Sequence, residues 1–248
     1  MRVPLIALGL SLLGSLGGLL VASGILLIND SRRARLIPWL VSYAVGTLLG
    51  VSMLALLPEA LEDLQPSHVF GTLLAGILVF FVLEKLVLWR HCHTHDCEVH
   101  DGSAFPIVIG DAVHNFVDGA LIAAAVMESV PLGVSMALAV AAHEIPQEIG
   151  DFAILLHAGY SRRRALLLNV TSGLAGAAGA VMALTVLRAP EMREMFLPYC
   201  LAFAAASFLY VAMADLIPGL HRGRTDAHSL RQILLIGAGV ATAFILVR

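Results

Sequence analysis

Asp111-Ala112-Val113-His114-Asn115-Phe116-Val117-Asp118 and His143-Glu144-Ile145-Pro146-Gln147-Glu148-Ile149-Gly150-Asp151 are two polar patterns, each set inside an apolar run. A transmembrane helix takes about 20 apolar residues. An ionisable group at its centre costs a few kcal/mol, so such groups turn toward a cavity or toward one another. Residues at i, i+3 and i+4 share a helix face. Asp111, His114 and Asp118 therefore form one stripe, with Asn115 alongside. On the second run His143 and Gln147 stand one turn apart, and Glu144, Glu148 and Asp151 make an adjoining acidic stripe. Pro146 has no N–H for the carbonyl of Ala142 and is expected to kink the helix there. A carbonyl freed at this depth is tolerated where it lines a polar cavity.

A lone His or Asn in such a run only needs a hydrogen-bond partner across a helix interface. These nine groups include five carboxylates, and two histidines are the only cations built in among them. So lopsided a cluster would have to protonate or leave the membrane. A bound divalent cation resolves the conflict. Imidazole together with carboxylate suits zinc better than calcium or magnesium, which prefer oxygen ligands alone.

Working outward, eight apolar runs span roughly 3–28, 37–57, 69–89, 105–127, 132–157, 164–187, 196–217 and 231–247. The predicted fold is an all-α integral membrane protein with eight transmembrane helices, a single domain over 1–248. The composition agrees. Of 248 residues 59% are hydrophobic and 13% charged, with mean hydropathy +0.89, against about 25% charged in a soluble domain. The net charge of -3 provides no basic face for nucleic acid. Arg2 before an apolar run resembles a signal peptide, but the run continues to Ile28 and closes on Asp30 and three arginines, so it is read as the first span.

Basic residues set the orientation. Connections one, three, five and seven hold Arg32, Arg33, Arg35, Lys85, Arg90, Arg162, Arg163, Arg164, Arg222, Arg224 and Arg231, and the even ones hold Arg188 and Arg193. Odd connections are therefore expected in the cytoplasm and both termini outside. The second run ends Met53-Leu54-Ala55-Leu56-Leu57-Pro58 and the seventh Met213-Ala214-Asp215-Leu216-Ile217-Pro218, with Met and Pro at the same offset. By the charge count these two helices run in opposite directions. Three helices, a central pair and three inverted helices is the plan of an inverted-repeat transporter.

His114-Asn115-Phe116-Val117-Asp118-Gly119 and the run from His143 to Phe152 resemble the fourth and fifth helices of the ZIP family of divalent metal transporters, in the branch whose fifth helix reads HExPHExGD. The resemblance covers nearly the whole chain. It implies metal ligands at His114, Asn115, Asp118, His143, Glu144 and position 147, with Glu148 also counted with the metal and Asp111 and Asp151 around it or along the pathway. The departure is Gln147, a neutral residue where this branch has His. The sixth helix offers only Asn169, Thr171 and Ser172 where some members place a carboxylate. One well-formed site is therefore expected. The resemblance also implies a homodimer and flow into the cytoplasm.

The third connection, a His/Cys-rich loop at 90–104, carries His91, Cys92, His93, His95, Cys97 and His100, a soft-metal tract that could receive the exiting ion or sense its level. Cys200 and the Met residues at 53 and 213 are read as packing residues. The expected function is transport of Zn2+, with Fe2+, Mn2+ or Cd2+ as alternatives, across a plasma membrane, a bacterial inner membrane foremost. Two rivals stand beside it. A membrane-embedded metal sensor would use the loop. An intramembrane zinc protease would use His143-Glu144 as the start of HExxH, but position 147 lacks the second His and Pro146 is expected to break the helix.

Overall fold

A computed structural model of the chain describes residues 2–89, 104–220 and 227–247. These residues are almost wholly helical, with no strand among them. Helix α1 spans Arg2–Leu26. Asp30–Val51, a π-helical turn at Ser52–Leu56 and Leu57–Asp63 run on without a break and together form α2. Helices α3 to α6 are Pro66–Trp89, Ala104–Glu128, Val130–His157 and Arg162–Val186. Helix α7 joins Pro190–Tyr210, a second π turn at Val211–Leu216 and Ile217–Leu220, and α8 is Ala227–Val247. The eight long helices fall on the eight apolar runs.

Helices α2 and α7 overshoot the runs read from sequence. At one end of α2 the charged residues continue the helix, because Asn29 caps it by accepting the Arg32 N–H at 3.1 Å. At the other end, a proline inside a regular helix clashes with the carbonyl four residues back. Both helices meet that problem with a widened turn. Leu57 N–H bonds to Ser52 O ahead of Pro58, and Ile217 N–H to Ala212 O ahead of Pro218. The short Met-to-Pro repeat is thus a repeated irregularity of the backbone. Its methionines are not core: Met53 is 54% exposed and Met213 63%.

Among the described residues six helices are long and apolar enough to cross a membrane, in α1, α2, α4, α6, α7 and α8, and Pro66–Val82 of α3 is a shorter apolar stretch. Helix α5 is not one of the six. One half of it carries His143, Glu144, Gln147, Glu148 and Asp151, and it is sheltered by packing on α1, α2 and α4. The outer surface of the bundle is apolar, as lipid requires, with Leu20, Leu74, Phe81, Ile233 and Ile245 exposed.

Close helix pairings include α4 with α6, α2 with α8, α1 with α5 and α3 with α7, beside α2 with α7 and α4 with α5. Exchanging helices one to three with six to eight, and four with five, converts α1–α5 into α6–α4 and α2–α8 into α7–α3. That is the contact pattern of an inverted repeat with a central pair. Small residues permit the tightest of these approaches. A side chain on Gly119 of α4 would run into the backbone of Gly176 on α6, so the two helices touch main chain to main chain.

Helices α4 and α5 form a tight hairpin. Ser129 connects them and caps α5 by accepting the Leu132 N–H at 3.3 Å. Toward this hairpin end the interior is apolar and closed, filled by Ile122, Ala123, Ala124, Met136, Val140, Leu201 and Phe208. The polar residues lie beyond it, toward the far ends of the hairpin. Pro146 does not interrupt α5, which runs helical from Val130 to His157. The expected helix break is therefore corrected.

Candidate metal centre

Counting away from Ser129, His114 on α4 and His143 with Glu144 on α5 come at similar depth, with Asp118 about one turn nearer. Asp111 and Glu148 come roughly one to two turns farther on. The hairpin thus sorts the polar residues into two layers.

The first layer is His114, Asp118, His143 and Glu144, and each offers an atom within 4.8 Å of the others. His114 Nε2 stands 3.1 Å from His143 Nε2 and 3.6 Å from both Asp118 Oδ2 and Glu144 Oε1. His143 Nε2 stands 3.1 Å from Asp118 Oδ2 and 3.8 Å from Glu144 Oε1. A tetrahedral zinc ion with bonds near 2.05 Å spaces its ligand atoms about 3.3 Å apart. The four groups are arranged on that scale.

Hydrogen bonding points the same way. His143 Nδ1 lies 3.0 Å from the Ala139 carbonyl, which can only accept. Nδ1 therefore carries the proton, and in neutral His143 Nε2 presents its lone pair to the centre. The edge of Phe208 on α7 holds the ring from another side, at 5.8 Å between centroids. Asp118 and Glu144 are fully buried, and none of their four carboxylate oxygens receives a directed hydrogen bond. Buried carboxylates without donors cost several kcal/mol. A divalent cation among them and the two imidazoles satisfies all four residues together.

The second layer is Asp111, Glu144 and Glu148, also within 4.8 Å, so Glu144 belongs to both. It is built differently. Asp111 Oδ1 accepts from Asn115 Nδ2 at 3.0 Å and from Gln147 Nε2 at 3.3 Å, and its Oδ2 accepts from the Ser172 hydroxyl. Glu148 Oε2 accepts from Asn169 Nδ2 at 2.7 Å, while Glu148 Oε1 and Asn115 Oδ1 have no partner. An all-oxygen set of this kind suits a harder ion than zinc.

Of the residues singled out from sequence, His114, Asp118, His143, Glu144, Glu148 and Asp111 come together in these layers. Asn115 is fully buried beside them with its amide oxygen free. Gln147 enters neither layer as an oxygen donor and instead holds Asp111 through its N–H. Asp151 is half-buried and belongs to neither. The loop residues His91, Cys92, His93, His95, Cys97 and His100 lie outside the described residues. The two residues without an assigned role in the sequence reading are Asn169 and Ser172. Asn169 is the only amide on a helix rich in Gly, Ala and Leu, and Ser172 is its one buried hydroxyl beside the exposed Thr171 and Thr185, but nothing local to α6 connects them to Asp111 and Glu148.

The profile of the family described as ZIP Zinc transporter matches residues 88–247, well over half of the chain. A zinc transporter ZIP13 from Pongo abelii is 34% identical over 214 residues, which are 81% of this chain and 64% of that protein. The ZIP13 of Mus musculus is 30% identical over 84% of this chain and 69% of its own length. The ZIP4 of Homo sapiens is 47% identical over 48% of this chain but only 18% of its own. The chain therefore spans about two thirds of the length of these ZIP13 proteins and under a fifth of the ZIP4. The stretch matched by the profile contains α4, α5 and every residue of both layers, and the chain belongs to the ZIP family of zinc transporters.

Proposed function

We propose that the chain carries Zn2+ across a membrane, with His114, Asp118, His143 and Glu144 as its central ligands and Asn115 and Glu148 taking the ion onward. The observation that carries this reading is the set of four donorless carboxylate oxygens facing two imidazole nitrogens in the first layer. Zinc-transporting relatives support the choice of ion. Fe2+ and Mn2+ are alternatives that the all-oxygen second layer would admit, and Cd2+, a softer ion, is one that the two imidazoles would. The two layers make a descending track. Zinc leaves a site containing two imidazoles for one made of oxygen alone, where it is held less tightly, as a departing ion requires.

The polar track lies toward the end of the hairpin where α4 begins and α5 ends, and the opposite end is sealed by apolar side chains. With the basic connections on the cytoplasmic side, the described conformation faces inward, the termini lie outside and the ion moves into the cytoplasm. A bacterial inner membrane, a homodimer and a single transporter domain complete the reading. Alternation of access would follow from movement of one helix group against the other. The protease reading fails on Gln147, which donates to Asp111 and offers no imidazole.

The test is zinc uptake into proteoliposomes by the wild type beside an Asp118→Ala variant of matched amount and orientation. Uptake is expected in the wild type and its collapse in the variant. Equal uptake by both would refute the assignment, and no uptake of zinc, iron or manganese by either would refute transport.

A further inference from the structure

We propose that Gly18, on a helix that supplies no ligand, is a positioning residue for the ion, because it lets α1 lie directly against Glu144 and so sets where that carboxylate stands. This rests on reading Glu144 as an ion ligand. A methyl group at position 18 would lie 2.7 Å from Glu144 Cβ and 3.7 Å from the Ala141 carbonyl oxygen. Glu144 Cβ is fixed to the α5 backbone, so no rotamer change relieves the overlap. Either α1 or the α5 backbone at Glu144 must move.

The neighbouring glycines behave differently. A methyl at Gly17 would meet nothing within 4 Å, and one at Gly14 would meet only the side chains of Ile122 and Val140, at 3.2 and 3.3 Å. Gly18 is thus the α1 glycine whose space is occupied by a residue of the site. Two further contacts on the same face, at the i and i+4 spacing, seat α1 against α4 and against α6 behind it. Ser11 Oγ donates to the Gly119 carbonyl at 3.3 Å, next to Asp118, and Ser15, one turn on, is buried beside Gly176 of α6. Helix α1 backs both ligand helices, and Gly18 fixes its distance from Glu144.

Metal–ligand distances in a well-formed site stay within about 0.2 Å of their usual values, and loss of supporting contacts around a metal site costs about ten- to a hundredfold in affinity. Gly18→Ala is therefore expected to raise the half-saturating zinc concentration by about tenfold or more, with little change in maximal uptake per folded protein. The experiment is a double-mutant cycle on purified protein, reading zinc binding by titration and uptake in proteoliposomes. It compares wild type, Gly18→Ala, Glu144→Gln and the double variant. The loss on Gly18→Ala is expected in the wild-type background and absent in the Glu144→Gln background. A loss of equal size in both backgrounds, or none in the wild type, overturns the proposal. So does an equal shift in half-saturation from Gly14→Ala, which is expected to lower thermal stability alone.

If Gly18→Ala does not accumulate as folded protein, Glu144→Gly in the same chain is expected to restore it by removing the Cβ, and Glu144→Gln is not. Restoration by both or by neither overturns the proposal. If zinc binding is absent from the wild type, the function reading fails, and the Gly18–Glu144 contact is still judged by that pair.

Discussion

The two polar layers share Glu144 yet solve the problem of burying carboxylates in opposite ways. In the first, Asp118 and Glu144 are left without donors and face two imidazole nitrogens. In the second, Asp111 is held by an amide from Asn115, an amide from Gln147 and the Ser172 hydroxyl, and Glu148 by Asn169. The first layer is complete only with a cation, whereas the second largely keeps its geometry without one. On the proposed reading the difference separates a site that holds the ion from one that passes it on, because preformed hydrogen bonds compete with a metal for the same oxygen lone pairs.

Four expected outcomes would break or sharpen that contrast. The largest is for Asp118→Ala, which removes a ligand and leaves Glu144 facing two imidazoles. Zinc affinity should fall by about a hundredfold or more, on the scale of 3–5 kcal/mol for breaking a buried charged set, as read by isothermal titration. Next is the response to zinc itself. At about a hundred times its dissociation constant the ion should stabilise the wild type by about 2.7 kcal/mol. A thermal melt should show a rise in the midpoint that Asp118→Ala lacks. An equal rise in both would mean that the ion is held elsewhere.

Asn169→Ala tests the other layer. Glu148 would lose the donor it has among the described residues, at a cost of about 1–3 kcal/mol, and maximal uptake should fall while half-saturation stays near the wild-type value. A large change in half-saturation instead would merge the two layers into one site. The smallest effect belongs to Ser172→Ala. Asp111 keeps two amide donors, so the loss should be about 1 kcal/mol in thermal stability, with uptake nearly unchanged. A collapse of uptake there would place Asp111 among the principal ligands.

Much of this is legible in the sequence. The eight apolar runs became eight helices, and the stripes on α4 and α5 named the polar residues of both layers, since helical periodicity is local. The limits of α2 and α7 were not legible. Pro58 and Pro218 read as stops, and only the backbone shows each helix passing its proline through a π turn. The role of Pro146 was misjudged in the same direction, because a helix clamped by neighbours can carry a proline that would end it in isolation. Gln147 could be recognised as a neutral substitute but not as a donor to Asp111.

Composition and periodicity alone determined that this chain is a helical membrane protein with carboxylates and histidines gathered in stripes on two consecutive helices. Those features depend on residues a few positions apart. Which oxygens lack a donor, and which are already satisfied, was decided only by the tertiary structure. The donors Asn169 and Ser172 come from α6, brought close where Gly119 meets Gly176, and the wall behind Glu144 comes from α1 at Gly18. A hydrogen bond or a steric contact is set by distance in space, and no local pattern in the chain encodes how closely two distant helices approach.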